Sequence, residues 1–481
     1  MGKYKKLISN TAILGIGTFS SKLLVYLLMR LYTAYLTTEQ FSSADLITQS
    51  ANLLMPLAAC GIVESIFRFT LDKADEQRKN AVFSTGINIL LLAEIGFLLL
   101  SPLLFFADGY FGGYTWMIIL YVSVANLHSA VAQYLRAKGE TTLFAVQGII
   151  NTALVIAFNI TFLAGFNMGV TGYVLSIIIA DAIVTLFLIL YRRLWRVYSI
   201  RSFDKDVAKQ MLKYSLPMIP TTIFWWITSV SDRFMIIGML EGVLGEAGAK
   251  SVNGLYSAAQ KIPTIITLLT SIFMEAWHFS AVTETEDDLG GRKTFFEEVF
   301  RSFSGLLFLA AGAIILLCEI LTRLMVTDTF FDSARFIPFL VIATTFSGLV
   351  SFTGSVYVVE KKSMLSLLTS MAGAISNVAM NIVLIPKFGA MGAAVATAIS
   401  YIIVFVIRMV NARSYVPFRI NVWVLAGNVL FVTVASVFMT FRLSFCYPIA
   451  AVCFVGLFVL NGLPILKTLR SLLASVIKKR G

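Results

Sequence analysis

Apolar runs of roughly 20 residues recur from one end of this chain to the other, divided by short polar connections. A bilayer core about 30 Å thick is crossed by about 20 residues of helix. The pattern predicts fourteen spans, at 10–36, 42–68, 80–107, 114–136, 141–165, 169–194, 211–240, 251–276, 301–325, 333–359, 363–385, 390–412, 421–442 and 444–466. No connection is long or polar enough to be a separate soluble domain. The start, "MGKYKKLISN", is basic like a signal peptide, but the apolar stretch after it is too long and lacks a cleavage site. It reads as the retained first span.

The pattern repeats. Gln49 to Glu64 in span 2 and Gln260 to Glu275 in span 8 are both 15 residues, at an offset of 211. "FNITFLAGFNMGVTGYVLSIIIAD" resembles "MNIVLIPKFGAMGAAVATAISYI", with Gly169/Gly172 matching Gly389/Gly392 as tight-turn and close-packing positions. One repeat is about six spans, so both copies share one orientation. Such parallel repeats are a transporter architecture with the site between halves near the midplane. The expected fold is an all-α integral membrane protein. Two six-helix lobes, 1–194 and 211–412, surround a central cavity and are joined by a cytoplasmic linker, 195–210. Residues 413–481 add a helical hairpin and a basic tail. Pro56, Pro217, Pro220, Pro263 and Pro338 fall inside predicted spans, where they kink a helix or are simply tolerated.

Composition agrees with this. The chain is 58% hydrophobic and 13% charged, against about 25% charged in soluble domains. With an inside N-terminus, 29 of the 38 Lys and Arg residues fall on the inside and 5 on the outside. That bias places both termini in the cytoplasm. The net charge of +12 then reflects loops facing an anionic leaflet, and no nucleic-acid partner is expected. Four cysteines lie in or beside spans without ligand spacing, and there are only two histidines, His128 and His278. No disulfide framework, metal site or cofactor is expected.

Four cations remain inside spans: Lys22, Arg30, Arg233 and Lys261. Each costs about 2.5–3.5 kcal/mol at a bilayer centre on insertion scales, so each should face a bundle interior or a wet cavity. Thr11, Gly15, Thr18, Lys22, Tyr26 and Thr33 share one helical face, interrupted by Met29, with Arg30 at its edge. Span 7 holds Asp232 beside Arg233. Span 2 holds Asp45, Glu64 and Arg68, and span 8 holds Lys261 and Glu275. Glu94, Asp181 and Glu319 are single acids. Two readings fit each charge, pairing between helices or facing a substrate. Glu64, Glu94 and Asp181 read first as pairing acids; Lys22, Arg30 and Arg233 read first as substrate-facing. Arg68 is a boundary residue placed to guide a charged head group in from the cytoplasm. Several cations in one cavity suit an anionic lipid, such as a sugar-bearing lipid diphosphate. Tyr26, Trp225, Trp226 and Tyr256 are aromatics for stacking on sugars or for lining the cavity.

At this point "GIVESIFRF", "YSLPMIPTTIFWWITSVSDRFMI", "NGLYSAAQKIPTII" and "NIVLIPKFGAMGAAVATAIS" together carry a resemblance. The chain resembles the polysaccharide and oligosaccharide-lipid flippases of the multidrug/oligosaccharidyl-lipid/polysaccharide exporter superfamily, over nearly its whole length. The resemblance implies outward flipping of an undecaprenyl-diphosphate-linked sugar unit across a bacterial plasma membrane by alternating access. It implies that Lys22, Arg30 and Arg233 meet the diphosphate, with Lys261 and Tyr26 in the same cavity. It also implies coupling to a proton or sodium gradient, with Glu64, Asp232 and Glu275 as candidate carriers. Glycosyltransferases or a polymerase of the same pathway would be its partners.

Other readings compete. A peptidoglycan-precursor flippase or a spore-envelope relative needs the same phosphate chemistry. A multidrug antiporter handles mostly cations, which the cations of spans 1, 7 and 8 oppose. A membrane enzyme needs a larger external loop or a catalytic constellation, and an ATP-driven pump needs a Gly-rich phosphate loop with Lys-Ser/Thr; the sequence has neither.

Overall fold

The computed structural model describes residues 28–71, 75–283, 289–360, 362–415 and 418–478, and every regular element among them is helical. Ten of the described helical segments are long and apolar enough to cross a bilayer, or eleven if one bent pair is counted as a span. Two shorter apolar helices, Thr264–Met274 and Cys446–Gly462, accompany them. The chain forms two compact units, Met1–Trp226 and Ile227–Gly481.

The first unit begins with α1 (28–35), the described end of the first expected span. Then follow α2 (Thr38–Ala58) and α3 (Ile62–Thr70), a pair bent by 62°. Thr37 starts α2 with a capping box, its hydroxyl accepting from Gln40 N–H while the Gln40 side chain accepts from Thr37 N–H. The bend has local causes. Pro56 lies in the last turn of α2, and Cys60 and Gly61 take left-handed φ values of 49° and 64°. A Cβ at Gly61 would lie 3.2 Å from the Ser215 carbonyl oxygen, so this glycine also permits a close approach.

What approaches is an amphipathic helix. After α4 (Glu76–Leu100), α5 (Asp108–Phe111), α6 (Thr115–Ala137), α7 (Thr141–Asn159) and α8 (Gly169–Tyr191) comes α9 (Lys205–Ser215). Asp204 caps α9 by accepting from the N–H groups of Asp206 and Val207. Its Val207, Ala208 and Met211 are buried with Ile62 and Ile66 of α3 and Val82 and Phe83 of α4. Two hydrogen bonds fasten it to the bend: Ser65 Oγ donates to Met211 O (2.7 Å), and Ser215 Oγ donates to Cys60 O (2.9 Å). The stretch before α9 is also held. Tyr198 donates to Asn88 Oδ1 (2.7 Å), and Ser199 N–H donates to Ser84 Oγ (3.1 Å).

The second unit takes most of α10 (Ile219–Ala259), which turns at Gly245 (φ 71°, ψ 167°). It continues with α11 (Thr264–Thr283), α12 (Leu289–Leu316), α13 (Cys318–Met325), α14 (Ile337–Val359), α15 (Ser363–Phe388), α16 (Ala390–Ala412), α17 (Val422–Thr440) and α18 (Cys446–Lys478). Its core is rich in aromatic contacts. Trp277 stacks on Phe352 (centroids 4.9 Å) and donates Nε1–H to Ser355 Oγ (2.8 Å), and Phe273 stacks on Phe303 (4.1 Å). On the hairpin outside the repeat, Asn428 and Asn461 exchange two amide hydrogen bonds (3.1 and 2.7 Å).

The two matched glycine turns share a local backbone geometry. Gly169 and Gly389 have φ of 56° and 59°, and the glycine three residues later lies against preceding chain in both copies, Gly172 on Phe162 and Gly392 on Leu384. The copies differ at the breaks. Span 8 is not continuous as expected: the helix stops at Ala259 and resumes at Thr264, with Pro263 in the gap. In the first copy the break is at 59–61, about ten residues later in the repeat frame. Pro217, Pro220, Pro263 and Pro338 turn out to sit at helix starts, where the missing N–H costs least, whereas Pro56 lies in the last turn of its helix.

Arg408, near the end of α16 and one of the 29 basic residues counted on the inside, is buried at 7% exposure within the second unit. Its Nε–H donates to Thr369 Oγ1 (2.9 Å) and its Nη groups to Val350 O (3.0 Å) and Ser370 Oγ (3.3 Å). The guanidinium also lies 5.9 Å from the Tyr357 ring centre. It packs so closely on α14 that a Cβ at Gly354 would collide with it. All these partners are neutral, so Arg408 ties α14, α15 and α16 together without a counter-charge.

Two stability outcomes follow. A Cβ at Gly86 would meet Ile66 Cγ1 at 2.5 Å, whereas nothing lies within 4 Å of one at Gly96. Gly86→Ala should therefore cost about 1–3 kcal/mol by overpacking, while Gly96→Ala should be neutral or stabilising by up to about 1 kcal/mol; thermal unfolding in one detergent compares them. For Arg408, Thr369→Val strands a buried N–H and should cost about 1–3 kcal/mol. Arg408→Met removes the charge together with its needs and should cost less. The same melts test that order.

Candidate functional site

Within the first unit, α1 carries Arg30 on an exposed face, while Thr33 Oγ1 turns inward to Met29 O (3.1 Å). Lys22 and Tyr26 lie outside the described residues. On α3, Glu64 and Arg68 are both exposed and one turn apart, opposite the Ser65 and Ile66 face that packs on α9. The bend thus displays an acid and a base on one surface. Glu94 is buried and accepts from Asn126 Nδ2 (2.6 Å) and Ser123 Oγ (3.0 Å). Asp181 accepts from Asn151 Nδ2 (2.6 Å), and His128 Nδ1 lies 3.1 Å from Thr185 Oγ1. These hydrogen bonds come from amides and a hydroxyl, in place of the interhelical cations expected.

The second unit gathers the densest polar cluster. Asp232 on α10 is fully buried. Its Oδ1 accepts from Arg233 N–H (2.9 Å), and its Oδ2 accepts from the Tyr256 hydroxyl and, at 3.3 Å, from Thr397 Oγ1 on α16. Thr397 Oγ1 in turn accepts from Asn377 Nδ2 on α15 (3.2 Å). Asn377 Oδ1 accepts from Asn381 Nδ2 (3.0 Å) and lies 3.3 Å from Ser231 Oγ. Asn381 Oδ1 is buried without a hydrogen-bond donor. Carboxylate, hydroxyl and amide oxygens from α10, α15 and α16 therefore share one network with a single formal negative charge. Such a set suits a proton or a hard monovalent cation. Among the described residues, no group of three His, Cys, Asp or Glu side chains could hold a metal ion.

Arg233 adjoins this network. It is 4% exposed, with Nη1 3.7 Å from Asp232 Oδ1 and 3.2 Å from Ser229 O. Its charge is thus partly answered by the neighbouring acid. Tyr256 is spent on Asp232 and fully buried, so it does not form a sugar-stacking wall. Lys261 is half-buried in the break between α10 and α11. The side chain of Glu275 lies outside the described residues. Trp225 is exposed, and Trp226 donates Nε1–H to Gln49 O (2.9 Å). Glu319 pairs with Arg442 (3.0 Å) and accepts from Tyr447 (2.5 Å).

Sequence reasoning found Asp232 and Arg233 but missed Asn377, Asn381 and Thr397. The signal was present in "SNVAMN", two amides one turn apart in an apolar helix. Cys60, Cys318, Cys446 and Cys453 are free thiols among the described residues.

Comparison with known proteins bears on the fold and the family. No curated protein matches the chain. Several solved structures share its fold. A multidrug resistance MATE family transporter of the MOP superfamily, in an inward-facing conformation, superposes with a TM-score of 0.68 at 14% identity, covering 82% of this chain and 94% of that one. The lipid II flippase MurJ, in an inward closed conformation, gives 0.69 at 13% identity, covering 95% and 99%. A MOP superfamily transporter from Pyrococcus furiosus gives 0.55 at 13%, covering 85% and 95%. The profile described as polysaccharide biosynthesis protein matches residues 7–278, more than half of the sequence. The resemblance read from the four sequence stretches therefore holds, and the chain belongs to the polysaccharide biosynthesis protein family.

Proposed function

We propose that this protein is a flippase that carries an undecaprenyl-diphosphate-linked oligosaccharide from the inner to the outer leaflet of a bacterial plasma membrane by alternating access. The observation that carries the reading is the set of cations that fall inside apolar stretches of the sequence in a member of a polysaccharide biosynthesis family: Lys22, Arg30, Arg233 and Lys261. A diphosphate answers such charges by charge-assisted hydrogen bonds. Both termini lie in the cytoplasm on the strength of the positive-inside bias, and Arg68 meets the head group on that side. Glycosyltransferases or a polymerase of the same pathway supply and consume the substrate. A second reading, a flippase for a lipid-linked peptidoglycan precursor, is supported by the likeness to the lipid II flippase over 95% of this chain.

The Asp232 network is the proposed coupling site, ahead of Glu64 and Glu275. A proton or sodium ion on Asp232 neutralises the carboxylate facing Arg233 at 3.7 Å. That weakens the hold of Asp232 on Arg233 and favours a phosphate at the guanidinium. Ion and anionic substrate would thus favour each other's binding, a reciprocal coupling of the kind linkage requires.

Reconstituted protein and a fluorescent sugar-diphosphate-undecaprenyl lipid test both parts. With neutral glutamine at 22, 30 and 233 together, transbilayer movement should fall by about tenfold or more, since each charge-assisted pair contributes about 1.5–3 kcal/mol. An unchanged rate sinks the cation role, and drug-stimulated proton flux in place of lipid movement would favour an antiporter. Asp232→Asn should abolish the dependence of flipping on an imposed sodium or proton gradient. Retained dependence on either gradient removes Asp232 as the carrier.

A further inference from the structure

A cavity of about 320 Å³ opens in the second unit between the N-terminal half of α12 and the start of α17, formed in part by the C-terminal hairpin. That volume is at the lower end of the ~300–1,000 Å³ range of small-molecule sites. Its lining includes Glu297, Glu298, Arg301 and Arg419, with Asn428 among the deeper residues. Asn428 is occupied by its amide exchange with Asn461, so it offers little to a ligand. Glu297 is partly engaged, accepting the Arg419 backbone N–H at 2.6 Å. By contrast, the Glu298 carboxylate and the Arg301 and Arg419 guanidinium groups make no ion pair among the described residues, although they line one cavity. Two cations and two anions set side by side but left largely unpaired call for a ligand with both charges.

The position narrows the ligand. Trp423, in the first turn of α17, is 88% exposed. An exposed tryptophan at the end of a spanning helix marks headgroup depth. We infer that this cavity seats the headgroup of a membrane phospholipid bearing a primary ammonium, with the phosphodiester on Arg301 and Arg419 and the ammonium on Glu298 and the remaining oxygen of Glu297. An anionic headgroup without an amine would satisfy the arginines but face two carboxylates. A trimethylated ammonium has no N–H to donate. The bound lipid would wedge the α17 and α18 hairpin to α12, outside any transport path proposed above and independent of the flipped substrate.

The full chain, purified in detergent and mixed with phosphatidylethanolamine, phosphatidylcholine and phosphatidylglycerol of identical acyl chains, tests this by native mass spectrometry. The ethanolamine lipid should be retained about tenfold more than either of the others, the scale of one charge-assisted pair. Arg301→Ala with Arg419→Ala should reduce retention to that of the choline lipid. Glu298→Gln should erase the preference over phosphatidylglycerol while leaving phosphate binding. All three side chains are exposed, and unchanged lipid-free melting of these variants confirms that folding is intact. Equal retention of the three lipids, or ethanolamine-lipid retention unaffected by the double arginine change, overturns the inference. So does binding of O-phosphoethanolamine or inorganic phosphate alone without lipid retention, which would identify a soluble ligand.

Discussion

Hydrocarbon supplies no hydrogen bonds, and the rest of this structure depends on that deficit. It makes every described element a helix, because only a helix satisfies its own backbone in lipid. It also governs the side chains. Asp232, Arg408, Glu94 and Asp181 each recruit hydroxyls, amides or main-chain carbonyls from neighbouring turns or helices. The partners are mostly neutral. A neutral donor stabilises a buried charge at little desolvation cost of its own, whereas a second buried ion must also be stripped of water.

The bend between α2 and α3 shows how the same constraint is met where a helix fails. Breaking a helix frees carbonyls and N–H groups. Here Gly61 N–H closes back onto Pro56 O (2.8 Å), and Cys60 O is taken up by Ser215. The amphipathic α9 is therefore part of the bend, and the connection between the repeats is a docked element of the first unit. Its pattern, with Val207, Ala208 and Met211 on one side and lysines on the other, is that of a helix lying on a surface.

Much of this was legible beforehand, for definable reasons. Span positions come from runs of apolar residues, and the Gly169/Gly172 and Gly389/Gly392 turns could be read because glycine there answers a backbone demand. The break before Thr264 was not legible, because the surrounding sequence stays apolar and a proline is compatible with a helix start as well as a kink. The burial of Arg408 was not legible because, near a helix end, one arginine reads like a boundary residue; the hydroxyls of Thr369 and Ser370 on another helix reveal it. The Asp232 cluster was half legible. Its charged members stand out against an apolar background, while Thr397, Asn377 and Asn381 come from helices more than 140 residues further along.

These two buried charges also differ in biosynthetic time. The partners of Arg408 are Val350, Thr369 and Ser370, all made before it, so α16 leaves the ribosome toward helices able to receive its guanidinium at once. Asp232 has the opposite history. Thr397, Asn377 and Asn381 are translated long after α10, and even Tyr256 follows it by 24 residues. During that interval the network that answers the carboxylate is incomplete. Arg408 thus meets partners that are already synthesised, whereas Asp232 has to wait for α16 to supply its Thr397 hydroxyl.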